Sequence, residues 1–250
     1  MTDLFRIERG EGDVPVVLLH GFGGSHAAWD EVAARLDGSR RLLIYDLPGH
    51  AGSLAVPAGS AAGAAKAVLA DLARREISSV DLVGHSMGGA VAALVALREP
   101  GRVASLTLLA PGGFGPESDE KLLRRFAAAV EEAELAAVLK QFFGPGRELP
   151  KNLAASVAGE RQIAGARDAL LKIVETFFDG AKQKVLPLAE LARLPMPIKV
   201  LWGVEDRVLP VAQARRLPDR IAVHAFEGVG HMLPYEIPAE VAALVLENSR

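Results

Sequence analysis

Short, nearly continuous apolar runs recur along this chain, most of them stopped abruptly by a glycine, a histidine or a single acid and followed by residues of helix-forming composition. Residues 14–19 stop at His20-Gly21, 41–45 at Asp46, 80–83 at Gly84, 106–109 at Ala110-Pro111 and 198–202 at Gly203. A strand that is apolar at nearly every position is buried on both faces, as in a mostly parallel sheet covered by helices on each side. Residues 30–36, 61–75 and 89–97 supply intervening helices, so the predicted class is α/β with an open sheet. The length of 250 residues suits one large domain or a domain carrying an insertion.

The alternation fails between residues 112 and 187. Here 121–143, 149–162 and 166–178 have helical spacing, with stops at Gly144-Pro145-Gly146 and Asp179-Gly180, and no run reads as a strand. Five of the nine phenylalanines fall in these helical segments: Phe126, Phe142, Phe143, Phe177 and Phe178. The expectation is a core of 1–111 and 188–250 with a helical cap at 112–187 inserted between strands.

Composition narrows the chemistry. The chain has no cysteine, which excludes disulfides, thiolate metal sites and a cysteine nucleophile. With 28 Lys plus Arg against 31 Asp plus Glu, the net charge is -3, and no basic stripe suits nucleic acid or an anionic membrane. No apolar run approaches the roughly 20 residues that cross a bilayer. The expectation is a soluble cytoplasmic chain with a small-molecule substrate and no nucleic acid or membrane partner. Assembly into a homo-oligomer is left open.

Four loops carry the candidate chemistry. Gly84-His85-Ser86-Met87-Gly88 follows one apolar run and precedes a helix, which is the G-x-S-x-G pattern in a strand–turn–helix setting. Its glycines let the turn tighten until the Ser86 hydroxyl stands clear. Attack on a carbonyl by Ser86 would create an oxyanion, and two backbone N–H groups are expected to hold it: Met87, after the nucleophile, and Phe22, in His20-Gly21-Phe22-Gly23-Gly24. That second loop also begins like a dinucleotide-binding G-x-G-x-x-G with Asp46 after the next run, but His26 stands where the third glycine belongs.

An imidazole base needs a carboxylate to fix its tautomer. Glu205 and Asp206 end the run at 198–202, and Asp206 is preferred because its shorter side chain lies deeper in the loop. His231, between Gly228-Val229-Gly230 and Met232, is the expected base. His26, His50, His85 and His224 receive no role. The charged groups Asp71, Arg74, Arg75 and Glu76, and Glu131, Glu132 and Glu134, read as solvated helix faces. No H-E-x-x-H or similar spacing appears, so neither metal nor cofactor is expected.

These motifs resemble the α/β-hydrolase superfamily over nearly the whole chain. The match runs through His20 to Gly24, Asp46-Leu47-Pro48-Gly49-His50, Gly84 to Gly89, Trp202 to Asp206 and Gly230-His231. The resemblance implies a triad in the order Ser86, Asp206, His231. Family members include esterases, thioesterases, lactonases, C–C bond hydrolases and perhydrolases, so it does not fix a substrate. Residues 109–117 look like hydrolase-like chains labelled acetoin dehydrogenase E2 or dihydrolipoamide acyltransferase. The D-H-R-x-x-D-G motif of lipoyl acyltransferases is missing from this sequence, and Ala51 stands where the family's loop usually has glycine. Dehalogenases and epoxide hydrolases resembling this fold carry an aspartate nucleophile where this chain has Ser86.

The expected activity is therefore hydrolysis of an ester, thioester or related acyl compound. Acyl transfer or C–C cleavage by the same residues, or ligand reception without turnover, are the alternatives. Phe142, Phe143, Phe177 and Phe178, with Leu135, Leu139 and Met232, either line an apolar acyl pocket or pack as core.

Overall fold

The computed structural model describes residues 3–36, 38–57 and 59–249. In chain order the elements are β1 (Arg6–Arg9), β2 (Val16–Leu19), α1 (Asp30–Leu36), β3 (Leu42–Tyr45), α2 (Ala61–Arg74), β4 (Val80–His85), α3 (Met87–Arg98) and β5 (Val103–Leu109). The insert follows, with α4 (Glu120–Ala128), α5 (Glu132–Leu139), α6 (Leu153–Arg161), α7 (Ala166–Glu175), β6 (Phe178–Asp179) and β7 (Lys182–Gln183). The chain then runs through α8 (Leu188–Leu191), β8 (Ile198–Gly203), β9 (Ala222–Phe226), α9 (Leu233–Glu236) and α10 (Pro238–Asn248).

The main sheet has seven strands in the order β1-β3-β2-β4-β5-β8-β9. All neighbours are parallel except β1, which runs antiparallel to β3 at the edge, Arg6 opposite Tyr45 and Arg9 opposite Leu42. Every residue of β2, β3, β4 and β8 is buried, as nearly continuous apolar runs require, and the burial extends to Asp81 in β4 and Lys199 in β8. From β2 the chain steps outward to β3 and then returns to place β4 on β2's other side, Leu19 opposite Gly84. This reversal opens a crevice above the carboxyl ends of β2 and β4, the place where open α/β sheets bind ligands.

Several expectations need correction. The edge strand β1 has the sequence Arg-Ile-Glu-Arg and only partial burial, so it carries no apolar run to detect. The insert is not wholly helical. Residues 178–183 form a small antiparallel hairpin, Phe178 opposite Gln183 and Asp179 opposite Lys182, so the helix expected to reach 178 stops at Glu175. The helix expected over 121–143 is two, because Ala129 and Glu131 adopt extended backbone with ψ of 137°. Helix α3 starts at Met87, directly on the serine, rather than at Gly89.

Asp71 is fully buried, not a solvated acid. It accepts hydrogen bonds from the Tyr45 hydroxyl at 2.7 Å, Arg74 at 2.9 Å and Arg75 at 2.9 Å, with Arg6 3.7 Å away. Burial alone would raise its pKa, but the tyrosine hydroxyl and the arginines outweigh that and hold it below the ordinary aspartate value. The cluster ties α2 to the sheet edge, so a helical charge pattern concealed a buried network.

Candidate active site

Ser86 lies between β4 and α3 with φ 53° and ψ -115°, a conformation that costs a non-glycine residue of order 1–3 kcal/mol. The surroundings impose it. Ser86 N–H donates to the Leu109 carbonyl at 2.9 Å, and the Ser86 carbonyl accepts from Gly112 N–H at 2.9 Å and Ala90 N–H at 3.1 Å. The turn closes because Gly84 and Gly88 have no side chains. A Cβ on Gly84 would strike the Gly88 carbonyl, and one on Gly88 would strike the carbonyls of Leu19 and His20. Loop and strand sequence thus expose one hydroxyl at the crevice.

Met87 N–H opens α3, where a first-turn donor has no partner within the helix. Phe22 N–H lies in the loop after β2, whose shape is set by two histidines. The Nε2 atom of His20 accepts from Leu47 N–H at 2.9 Å while its Nδ1 faces the Gly21 carbonyl at 2.7 Å. His50 Nε2 accepts from Gly23 N–H at 3.0 Å, and its Nδ1 faces the Pro48 carbonyl at 3.0 Å. An imidazole accepting at one nitrogen and donating at the other is neutral. Burial favours that state by lowering both pKa values, that of His50 to about 4. His50, given no role from sequence, therefore frames this loop; its signal was the Asp46 to His50 motif itself. Ala51 takes up the left-handed conformation that glycine adopts freely, with φ 37°.

The carboxylate that reaches His231 is Asp206. Its Oδ2 lies 2.7 Å from His231 Nδ1, while Oδ1 accepts from Val208 N–H at 2.8 Å and Leu209 N–H at 2.9 Å. Glu205 turns instead to Val229 N–H at 3.1 Å and braces the histidine loop. Ser86, Asp206 and His231 are all at least nine-tenths buried.

Two residues missed in the sequence hold His231 in place. Glu236 is buried, and its carboxylate accepts from Gly230 N–H at 3.0 Å, Met232 N–H at 3.0 Å and Gly144 N–H at 2.9 Å. It thereby grips both neighbours of His231 and the insert together. His231 N–H donates to the Phe142 carbonyl at 2.7 Å, and the His231 carbonyl accepts from His85 Nε2 at 2.8 Å. Burial and the nearby His231 push the His85 pKa down to about 3, so this ring stays a neutral donor. The sequence signal for Glu236 was only a lone acid in an apolar stretch.

Ser86 stands between two cavities. The larger, about 390 Å³, is lined by Phe22, Met87, Ala90, Leu94, Phe177 and Leu186 among others. The smaller, about 50 Å³, is lined by Gly21, His85, Phe126, Phe142, His231 and Tyr235 among others. The four phenylalanines considered from sequence therefore divide. Phe142 and Phe177 face a cavity, whereas Phe143 packs 6.2 Å from Tyr235 and Phe178 lies under the Arg124 guanidinium. Arg161, buried in the insert, stacks 5.1 Å over Phe126 behind the small cavity, and burial lowers its pKa to about 10. Among the described residues no cluster of three or more His, Asp or Glu could hold a metal. None of the helices described is long and apolar enough to cross a membrane.

Chemically, a hydroxyl, an imidazole oriented by a carboxylate, and the backbone of Phe22 and Met87 lie around one buried crevice. That constellation suits nucleophilic attack on a carbonyl. Comparisons agree with the fold. The chain is 34% identical over 195 residues to a protein of Pseudomonas putida named dihydrolipoyllysine-residue acetyltransferase component of acetoin cleaving system, covering 78% of this chain and 52% of that one. A protein of the same name from Cupriavidus necator is 31% identical over 241 residues, covering 96% of this chain and 64% of the relative. The chain thus spans about half to two thirds of these relatives. A meta-cleavage product hydrolase structure from Pseudomonas fluorescens superposes with a TM-score of 0.85 at 22% identity, covering 98% of this chain and 93% of that one. The profile of the alpha/beta hydrolase family matches residues 16–244, and the chain belongs to that family.

Proposed function

We propose that this chain is a serine hydrolase that cleaves an ester or related acyl compound through Ser86, His231 and Asp206. The observation that carries the reading is the 2.7 Å hydrogen bond that His231 Nδ1 donates to Asp206 Oδ2, which leaves Nε2 for the cavity that His231 shares with Ser86. In the first half-reaction His231 takes the hydroxyl proton as Ser86 Oγ bonds to the carbonyl carbon. Phe22 and Met87 N–H groups stabilise the oxyanion, each worth about 3 kcal/mol in comparable sites. The bond to the leaving group then breaks as His231 returns the proton to it. Water, activated by the same imidazole, releases the acid and restores Ser86. The insert serves as a cap that shapes the crevice, and the substrate is a small apolar acyl compound.

The test is a panel of alkyl and p-nitrophenyl esters assayed with the wild type and Ser86→Ala. Turnover that Ser86→Ala abolishes is the expected result; a folded wild type with no more turnover than the variant contradicts it.

Acyl transfer is a second reading, favoured by the names of the two relatives described above. It uses the same acyl-enzyme with a thiol or peroxide in place of water. Adding such acceptors during turnover and measuring the partition of products separates the two readings.

A further inference from the structure

The two cavities flanking Ser86 are unequal, and His231 borders only one of them. From this asymmetry we infer that the enzyme is built for oxygen esters of a small alcohol with a bulky apolar acyl group, a conclusion that rests on the serine-hydrolase reading above.

The argument is one of orientation. A carbonyl carbon bonded to Ser86 Oγ carries three other substituents: the oxyanion, the acyl chain and the leaving group. The oxyanion is fixed toward Phe22 and Met87 N–H. The leaving oxygen must receive its proton from His231 Nε2, because Asp206 occupies Nδ1 at 2.7 Å. The leaving group therefore lies on the His231 side, in the cavity of about 50 Å³, and the acyl chain points into the cavity of about 390 Å³.

The volumes then set the chemical class. At about 50 Å³ against about 390 Å³, the smaller cavity accepts a group several times smaller than the larger one does, so the alcohol is the short partner and the acyl chain the long one. Its walls are not free to retreat. Phe126, Leu139 and Phe142 are almost wholly buried, Phe126 packs on Phe142 at 5.2 Å, and the Phe142 carbonyl is tied to His231 N–H. Enlarging this side would move the histidine itself. The larger cavity has a different construction. Its walls are apolar along Ala90, Leu94, Leu186 and Leu209, while exposed Ser60 and Lys184 stand at its margin. A long acyl chain can lie there with its far end toward water. Thioesters of large thiols and esters of bulky alcohols are disfavoured because their leaving groups have no space beside His231.

Two aliphatic ester series test this, with alcohols of similar acidity so that the intrinsic chemistry is constant. Methyl, ethyl, propyl and butyl octanoate vary the leaving group; methyl acetate to methyl decanoate vary the acyl chain. The expected result is that kcat/KM falls at least tenfold from methyl to butyl octanoate, and rises about fourfold per methylene buried in the acyl series until the cavity is full. Equal rates for methyl and butyl octanoate, or a preference for acetate over octanoate, overturn the assignment.

Variants check the walls separately. Leu139→Ala is expected to raise the butyl-to-methyl ratio, and Ala61→Phe, at the half-buried start of α2, to lower the octanoate-to-acetate ratio. If either fails to fold, the other still decides, and an unchanged ratio in a folded variant counts against the proposal. A fluorophosphonate control keeps the two levels apart. Ser86 labelled but the ester preference flat or reversed defeats the cavity assignment alone; no labelling and no turnover defeats the serine-hydrolase reading and this inference with it.

Discussion

The sheet core and the insert place residues at the same crevice by opposite means. On the core side, position comes from backbone packed so tightly that side chains are excluded. Gly84 and Gly88 meet carbonyls, and Ser86 is forced to φ 53°. On the insert side, position comes from side chains and a few hydrogen bonds. Phe126 and Phe142 wall the small cavity, and the 142–144 segment joins the histidine loop through the Phe142 carbonyl and Gly144 N–H. The proposed nucleophile is thus held by backbone, while the surface proposed to select a substrate is built from side chains that can be exchanged.

Glycine substitutions test this contrast most sharply. Gly88→Ala drives a methyl group into the carbonyls of Leu19 and His20 and is expected to destabilise the fold by about 3 kcal/mol or more, read as a lower midpoint in urea. Wild-type stability in that variant would mean that the elbow is not held by close approach.

The joint between the regions ranks next. Glu236→Ala leaves the N–H groups of Gly144, Gly230 and Met232 without their acceptor, and a loss of about 2–3 kcal/mol is expected. Glu236→Gln keeps one acceptor oxygen and should lose less stability, yet still lower kcat more than it raises KM, because His231 shifts. An alanine variant as active and stable as the wild type would separate the insert from the histidine loop.

Acid should act through the core. Burial holds His50 near pKa 4 and His85 near 3, and lowers His20 as well, whereas unfolded histidine titrates near 6.5. Below pH 6.5 the unfolded chain binds protons that the folded chain does not, so stability is complete above that pH and declines as pH falls toward 4. Each ring contributes up to about 1.4 kcal/mol per pH unit. Both tryptophans, Trp29 and Trp202, are buried in the core and report its unfolding by fluorescence. A midpoint in urea that does not fall between pH 7 and pH 5 contradicts this.

The smallest effect lies in the insert. Gly159 sits within α6, and a methyl group added there would meet no atom within 4 Å, so Gly159→Ala is expected to stabilise by about 0.5–1 kcal/mol. A lower urea midpoint in that variant would contradict it.

The same contrast explains what the sequence revealed. Runs such as Val16–Leu19 and Leu42–Tyr45 are apolar and buried throughout, so their apolarity alone announces a parallel sheet. Ser86, Asp206 and His231 could be named because each loop carries a local pattern of glycines and polar residues. The hairpin at 178–183 could not be seen, since two-residue strands are too short to show a period. Asp71 reads as solvated and Glu236 is missed for another reason: each is an ordinary acid in sequence, and only the fold surrounds it with distant donors such as Tyr45 and Gly144.

The most direct measurement is the rate and site of fluorophosphonate labelling, mapped by peptide mass spectrometry. The account expects one adduct, on Ser86, formed at least about 10³-fold more slowly in His231→Ala and in Asp206→Asn, since the serine depends on an imidazole held in one tautomer. An adduct elsewhere, or labelling of Ser86 at an unchanged rate in both variants, would contradict it.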